Sequence, residues 1–195
     1  MKNGSRQRAQ VALTFHANGD VGLATRMLDL LQKRATPVTV FAVGNWLVAN
    51  PALGKRITAD GHELANHTWS HQEMRPLAAS VVADEITRAA KAIANLTGSQ
   101  GKWFRPSGIE IPTDRILAEA GKAGYPVSVG YDLDSLDFTD PGGPAVIANV
   151  KAAVQNGSIV SLHFGHANTL DALPAILDHL AAKGLQPVTV SQLLG

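Results

Sequence analysis

The chain has 195 residues, 45% of them apolar and 17% charged, which suits one sizeable core and excludes a disordered or fibrous chain. Lys and Arg number 17 against 16 Asp and Glu, so the net charge of +1 gives no electrostatic ground for binding nucleic acid or an anionic membrane. There is no cysteine, which excludes disulfides, thiolate metal sites and thiol nucleophiles; a metal would have to be held by His, Asp, Glu or backbone oxygen.

The opening MKNGSRQRAQ is polar and lacks the apolar stretch of a signal peptide. Residues 1–10 are therefore expected to be disordered or an expression-derived appendage, with a single catalytic domain over 11–195. No apolar run approaches the roughly 20 residues of a membrane span. VALTF (11–15) predicts a strand that ends in the loop HANGD (16–20), and Leu23, Met27, Leu30 and Leu31 follow at helical spacing. TPVTVFAVG (36–44) predicts a buried strand, and 45–60 a helix broken at Asn50-Pro51. HELANH (62–67) predicts a short strand. Residues 77–96 predict an amphipathic helix with Val81, Val82, Ile86, Ala89, Ala90 and Ile93 inward. WFRPS (103–107) and YPVSVGYDL (125–133) predict strands with a helix between them over 112–123. A helix over 145–155, a strand SIVSLHF (158–164), a helix over 169–183 and a last short strand and turn over 187–194 complete the chain. This alternation implies a parallel sheet or barrel, whose functional residues belong at the carboxyl ends of the strands.

Polar residues do cluster after the predicted strands. His67 and His71 lie four apart in HTWSH, a spacing that on a helical turn puts both imidazoles on one face, within reach of one ion; the alternative is two surface histidines capping a loop. His163 ends an apolar strand in LHFGH, placed to serve as a general acid or simply packed and hydrogen-bonded, while His166 serves at most to shape the loop. DLDSLDF (132–138) carries three carboxylates, one of them suited to orienting a histidine and the others to a surface loop. Arg105 in FRPSG can pair with a site carboxylate or with substrate.

Taken in order, GHELANHTWSH (61–71), FRPSG, DSLDF, GSIVSLHFGH and the carboxyl-terminal LDALPAILDHLAAKGLQPVTVSQLL resemble the motifs of the polysaccharide deacetylases, carbohydrate esterase family 4, over nearly the whole chain. The resemblance implies a single-domain α/β fold, a distorted (β/α)7-type barrel. It also implies one divalent ion, zinc first and cobalt, nickel or manganese otherwise, held by an Asp and two His. His67 and His71 match the two histidine ligands, His163 the general acid, Asp137 the carboxylate that tunes it, and Arg105 the arginine that supports the base. Phe138 stands where the family has Trp and, with Trp69, is expected to bind sugar.

The sequence departs from the family at the first motif. The family has Thr-Phe-Asp-Asp-Gly, base first and metal ligand second, whereas this chain has Thr14-Phe15-His16-Ala17-Asn18-Gly19-Asp20. Three readings stay open. Asp20 folds back as the metal ligand with His16 as base, His16 joins the other two in a three-histidine site, or the site has decayed and only binds sugar. The implied function is hydrolytic removal of N-acetyl groups from an N-acetylglucosamine polymer such as peptidoglycan or chitin. Its alternatives are an inactive carbohydrate-binding homologue, an O-acetyl esterase or a small-amide amidase. A monomer is expected, acting on a polysaccharide or oligosaccharide and secreted or at a bacterial cell surface.

Overall fold

A computed structural model describes residues 1–195. Five parallel strands run in the order β3-β2-β1-β5-β4: β1 Gln10–Ala17, β2 Thr39–Ala42, β3 Glu63–Asn66, β4 Leu133–Asp134 and β5 Ile159–His163. Beyond β3 the sheet continues through single bridges, Asn66 to Phe104 and Phe104 to Ser128. Seven strand positions thus curve around an interior, two of them one residue wide, and the expected distorted barrel holds. Two predicted strands are corrected: WFRPS keeps only its bridge at Phe104, and YPVSVGYDL keeps only Ser128 and the start of β4.

Helices α1 (Val21–Lys33), α2 (Gly44–Ala49), α3 (Pro51–Ala59), α4 (Ala79–Thr97), α5 (Asp114–Lys122), α6 (Gly143–Ala153) and α7 (Ala167–Ala182) flank the strands. Asn50-Pro51 divides α2 from α3 because a proline at N1 starts a helix and cannot continue one. Gly98, at φ 81°, ends α4 in the left-handed conformation. On α4 the expected inward face is buried except for Val81, which is 40% exposed. The segment 187–194 is β6 (Gln186–Pro187), paired with the start of β1, followed by a helix α8 (Val190–Leu194) instead of a strand and turn. Thr189 and Gln192 form a capping box there, and that local hydrogen bonding favours helix over the β-branched preference of PVTV.

Strand parity sorts the core. On β1 the residues Val11, Leu13, Phe15 and Ala17 face outward into a cluster of 31 buried residues shared with the helices. Ala12, by contrast, joins Phe41, Ala65, Val129 and Ile159 inside the barrel, closed at one end by Val190 and Leu193 of α8. A period of two therefore sends His16 inward, with Ala12 and Thr14, and Ala17 outward. The first ten residues lie against the barrel, contrary to the expectation of disorder. The Met1 amino group donates to Ser128 O at 2.6 Å, Gly4 N donates to Gly157 O, and Arg6 pairs with Asp132 at 2.7 Å.

Candidate active site

A cleft of about 370 Å³ opens at the carboxyl ends of the strands, lined by His16, His67, His71, Arg105, Phe138 and His163 among others. That volume is at the small end of what ligand sites use. Register brings its two halves together: β1 and β5 pair His16 with His163, so two side chains 147 positions apart point the same way with ring centroids 4.5 Å apart.

His67 follows β3 and is 1% exposed. Its Nδ1 lies 2.8 Å from the carbonyl of Arg105, which can only accept, so Nδ1 carries the proton and Nε2 the lone pair. That Nε2 is buried without any partner. A buried acceptor with nothing to accept is costly, and a ring fixed through Nδ1–H with a bare Nε2 is the arrangement of a metal-ligating histidine. His71 brings a second imidazole, its centroid 5.0 Å away. Thr68 and His71 both adopt left-handed backbone, φ 67° and 63°, at a cost on the order of 1–2 kcal/mol each for non-glycine residues. The loop between them is held by Glu85 of α4, which accepts from Trp69 N, Ser70 N and Ser70 Oγ at 2.9, 2.8 and 2.6 Å.

The third member of the group is His16. One ligand atom from each of His16, His67 and His71 lies within 4.8 Å of the others. Burial first, then the neighbouring His67 and Arg105, pushes His16 well below the ordinary histidine range; burial first, then His71, does the same to His67. All three histidines titrate downward, so the cluster is neutral and ready to donate lone pairs. The donor set therefore fits a divalent cation, with one contest inside it. Arg105 Nη1 sits 2.8 Å from His16 Nε2, and a neutral imidazole has a single lone pair, so Arg105 and a cation compete for it.

Arg105 is 2% exposed and donates to Val129 O, Thr14 Oγ1, Gly130 O and His16, with its guanidinium 4.0 Å from the Phe41 ring. Every one of these acceptors is neutral, and burial lowers its pKa to about 9. On the other wall, His163 Nδ1 meets Asp137 Oδ1 at 2.7 Å. Asp137 is fully buried and also accepts from His163 N and Thr169 Oγ1, while Asn168 Nδ2 donates to its carbonyl. Burial pushes its carboxyl up, but the hydrogen bonds and charge of His163 outweigh this and hold it below the usual range. Of the other carboxylates in DLDSLDF, Asp132 is structural, accepting from Ile159 N and Ser158 Oγ. Asp134 lines the cleft, where burial raises it.

Two expected site residues lie elsewhere. Asp20 is exposed at the N-cap of α1, its Oδ1 accepting from Leu23 N at 2.7 Å, and is outside the histidine group. The free N–H groups at a helix start bind that carboxylate locally, which corrects the reading of Asp20 as metal ligand. Trp69 does not line the cleft: its ring packs against Gly44, where a Cβ would come within 2.7 Å of it, and lies 4.2 Å under Arg88. Phe138 does line the cleft, 48% exposed and 5.7 Å from the His163 ring. His166 pairs with Asp140 at 2.8 Å on the rim. The cleft residues Tyr131 and Ser161 carried no sequence signal, although the inward parity of Ser161 with His163 on β5 points to it once the strand is known.

Comparison with known proteins places the family and the fold. The family described as Polysaccharide deacetylase matches residues 3–128. A chitooligosaccharide deacetylase of Bradyrhizobium sp. (strain ANU 289) is 32% identical over 156 residues, 80% of this chain and 71% of that protein. A peptidoglycan-N-acetylglucosamine deacetylase of Bacillus cereus is 33% identical over 194 residues, 94% of this chain and 87% of that one. Other curated relatives are longer, the chain spanning 59% and 40% of two of them. A crystal structure of a CE4 family pseudoenzyme from Bacillus anthracis superposes with a TM-score of 0.94 at 22% identity, over 100% of this chain and 68% of that one, and so shares the fold.

Proposed function

The chain belongs to the polysaccharide deacetylase family, carbohydrate esterase family 4, and on that premise we propose that it removes N-acetyl groups from an N-acetylglucosamine-containing polysaccharide, peptidoglycan or chitin-like. The observation that carries the reading is the cleft itself, which sets a bare, buried His67 Nε2 opposite an intact Asp137–His163 pair. His67 and His71 would hold the divalent ion, zinc first, with His16 as third donor. A divalent cation there supplies Lewis acidity toward the acetyl carbonyl and a water molecule.

The chain's own residues do the rest. Asp137 fixes the His163 ring through Nδ1–H; as an imidazolium beside that carboxylate, His163 gives its Nε2 proton to the leaving amine, and the proton released by the attacking water restores it. Phe138, half open to solvent beside His163, forms an apolar wall for a sugar face. Arg105, stacked on Phe41, holds His16 against Thr14. The products are acetate and a free amino sugar.

One observation favours a second reading, a sugar-binding homologue without activity. The His16 lone pair is already taken by Arg105, and no carboxylate stands in the histidine group. Acetate release from acetylated chito-oligosaccharides and from peptidoglycan, with and without zinc or cobalt, separates the two. Metal-dependent release lost in His71→Ala supports the deacetylase; oligosaccharide binding with no release under any metal supports the other.

A further inference from the structure

Glu85 belongs to no motif of the cleft, yet it sits directly behind the histidine loop. It lies on α4, is 3% exposed, and commits both carboxylate oxygens to the segment between the two histidines. Oε2 accepts from the backbone N–H groups of Trp69 and Ser70, and Oε1 from the Ser70 hydroxyl, with Gln72 Nε2 at 3.4 Å. Arg88, one turn along α4, is turned away to Asp84 and the Trp69 ring. A buried carboxylate served by backbone donors instead of a cation is an expensive device, kept where a backbone conformation has to be fixed.

We propose that Glu85 is the positioning residue of the metal-ligand pair, holding the 68–71 loop so that His67 and His71 aim at one point; this rests on the metal reading above. The pair is four apart but not helical, because Thr68 and His71 take positive φ. Nothing in regular secondary structure sets the angle between the two rings, so an external fixture must. His67 has its own, the Arg105 carbonyl, and Asn66 Oδ1 with Ser107 Oγ secures Thr68. His71 makes no side-chain hydrogen bond of its own to hold it, and the nearest fixed backbone before it is the pair of N–H groups on Glu85.

Zinc affinity by competition with a chromophoric chelator, and the visible spectrum of the cobalt-loaded protein, test this in Glu85→Ala, Glu85→Asp and Glu85→Gln. The Ala and Asp variants lose or shorten the fixture and should bind zinc about 10–100-fold more weakly, with an altered cobalt spectrum. The Gln variant keeps one oxygen for both backbone N–H groups and an amide that the Ser70 hydroxyl can accept from, so it should bind close to the unsubstituted chain. Zinc binding undiminished in both Ala and Asp, or lost in Gln as fully as in Ala, overturns the proposal. Urea unfolding of each variant identifies any that fails to fold, and Asp serves where Ala does. An unsubstituted chain that takes up zinc yet releases no acetate refutes the deacetylase reading alone, whereas one that takes up no zinc refutes both.

Discussion

Acid should unfold the metal-free protein through the histidines of its own cleft. His16 and His67 are 9% and 1% exposed, and burial leads the causes that push both well below the ordinary value. The unfolded chain protonates each near pH ~6.5, whereas the native state resists. Below that pH the unfolded state binds more protons, so these groups' contribution is intact above about pH 6.5 and is lost as pH falls toward their depressed native values. Each contributes a limiting slope of about 1.4 kcal/mol per pH unit for as long as the native ring stays neutral, so the two together remove up to about 3 kcal/mol per pH unit. That is a large part of a typical total of about 5–15 kcal/mol. His62, also buried and shifted the same way, adds to the slope. Urea unfolding in chelator, followed by the fluorescence of Trp46, Trp69 and Trp103, measures it, and His67→Asn should flatten the slope by one group's share. Equal stability across that range, or an unchanged slope in His67→Asn, would refute the reasoning.

Zinc at about 100 times its dissociation constant should stabilise the protein by about 2.7 kcal/mol, an increase absent in His67→Ala; a melting temperature indifferent to zinc removes the metal centre. Asp137→Asn takes away the anion that orients His163, and kcat for acetate release should fall about 10²- to 10⁴-fold while zinc affinity holds. A kcat within a few-fold of the unsubstituted chain would show that His163 needs no orientation. Phe138→Ala should raise KM for oligosaccharides and leave kcat nearly unchanged, because the ring offers surface and no proton; the opposite split would place Phe138 in the chemistry.

Much of the architecture was legible in the sequence because it is local. Alternating β-like and helical runs announce a parallel barrel, Asn50-Pro51 and Gly98 mark their breaks, and HTWSH is one short loop whose histidines must lie near each other. The two thin strands at Phe104 and Ser128 read as longer ones because their apolar composition reports burial and not ladder pairing. Three features of the site needed the tertiary structure. The pairing of His16 with His163 depends on the register of β1 against β5, which no spacing along the chain encodes. The fate of Asp20 turned on competition: its carboxylate is taken by the start of α1 one turn away, while strand parity turns Ala17 into the core and leaves His16 alone facing the cleft. Glu85 acts from a helix on backbone N–H groups, and a backbone donor leaves no mark in the sequence. The sequence by itself determined the family, the barrel and the two central histidines; the tertiary structure alone brought His16 beside them, because strand register and the inward parity of position 16 set which side chains meet at the cleft.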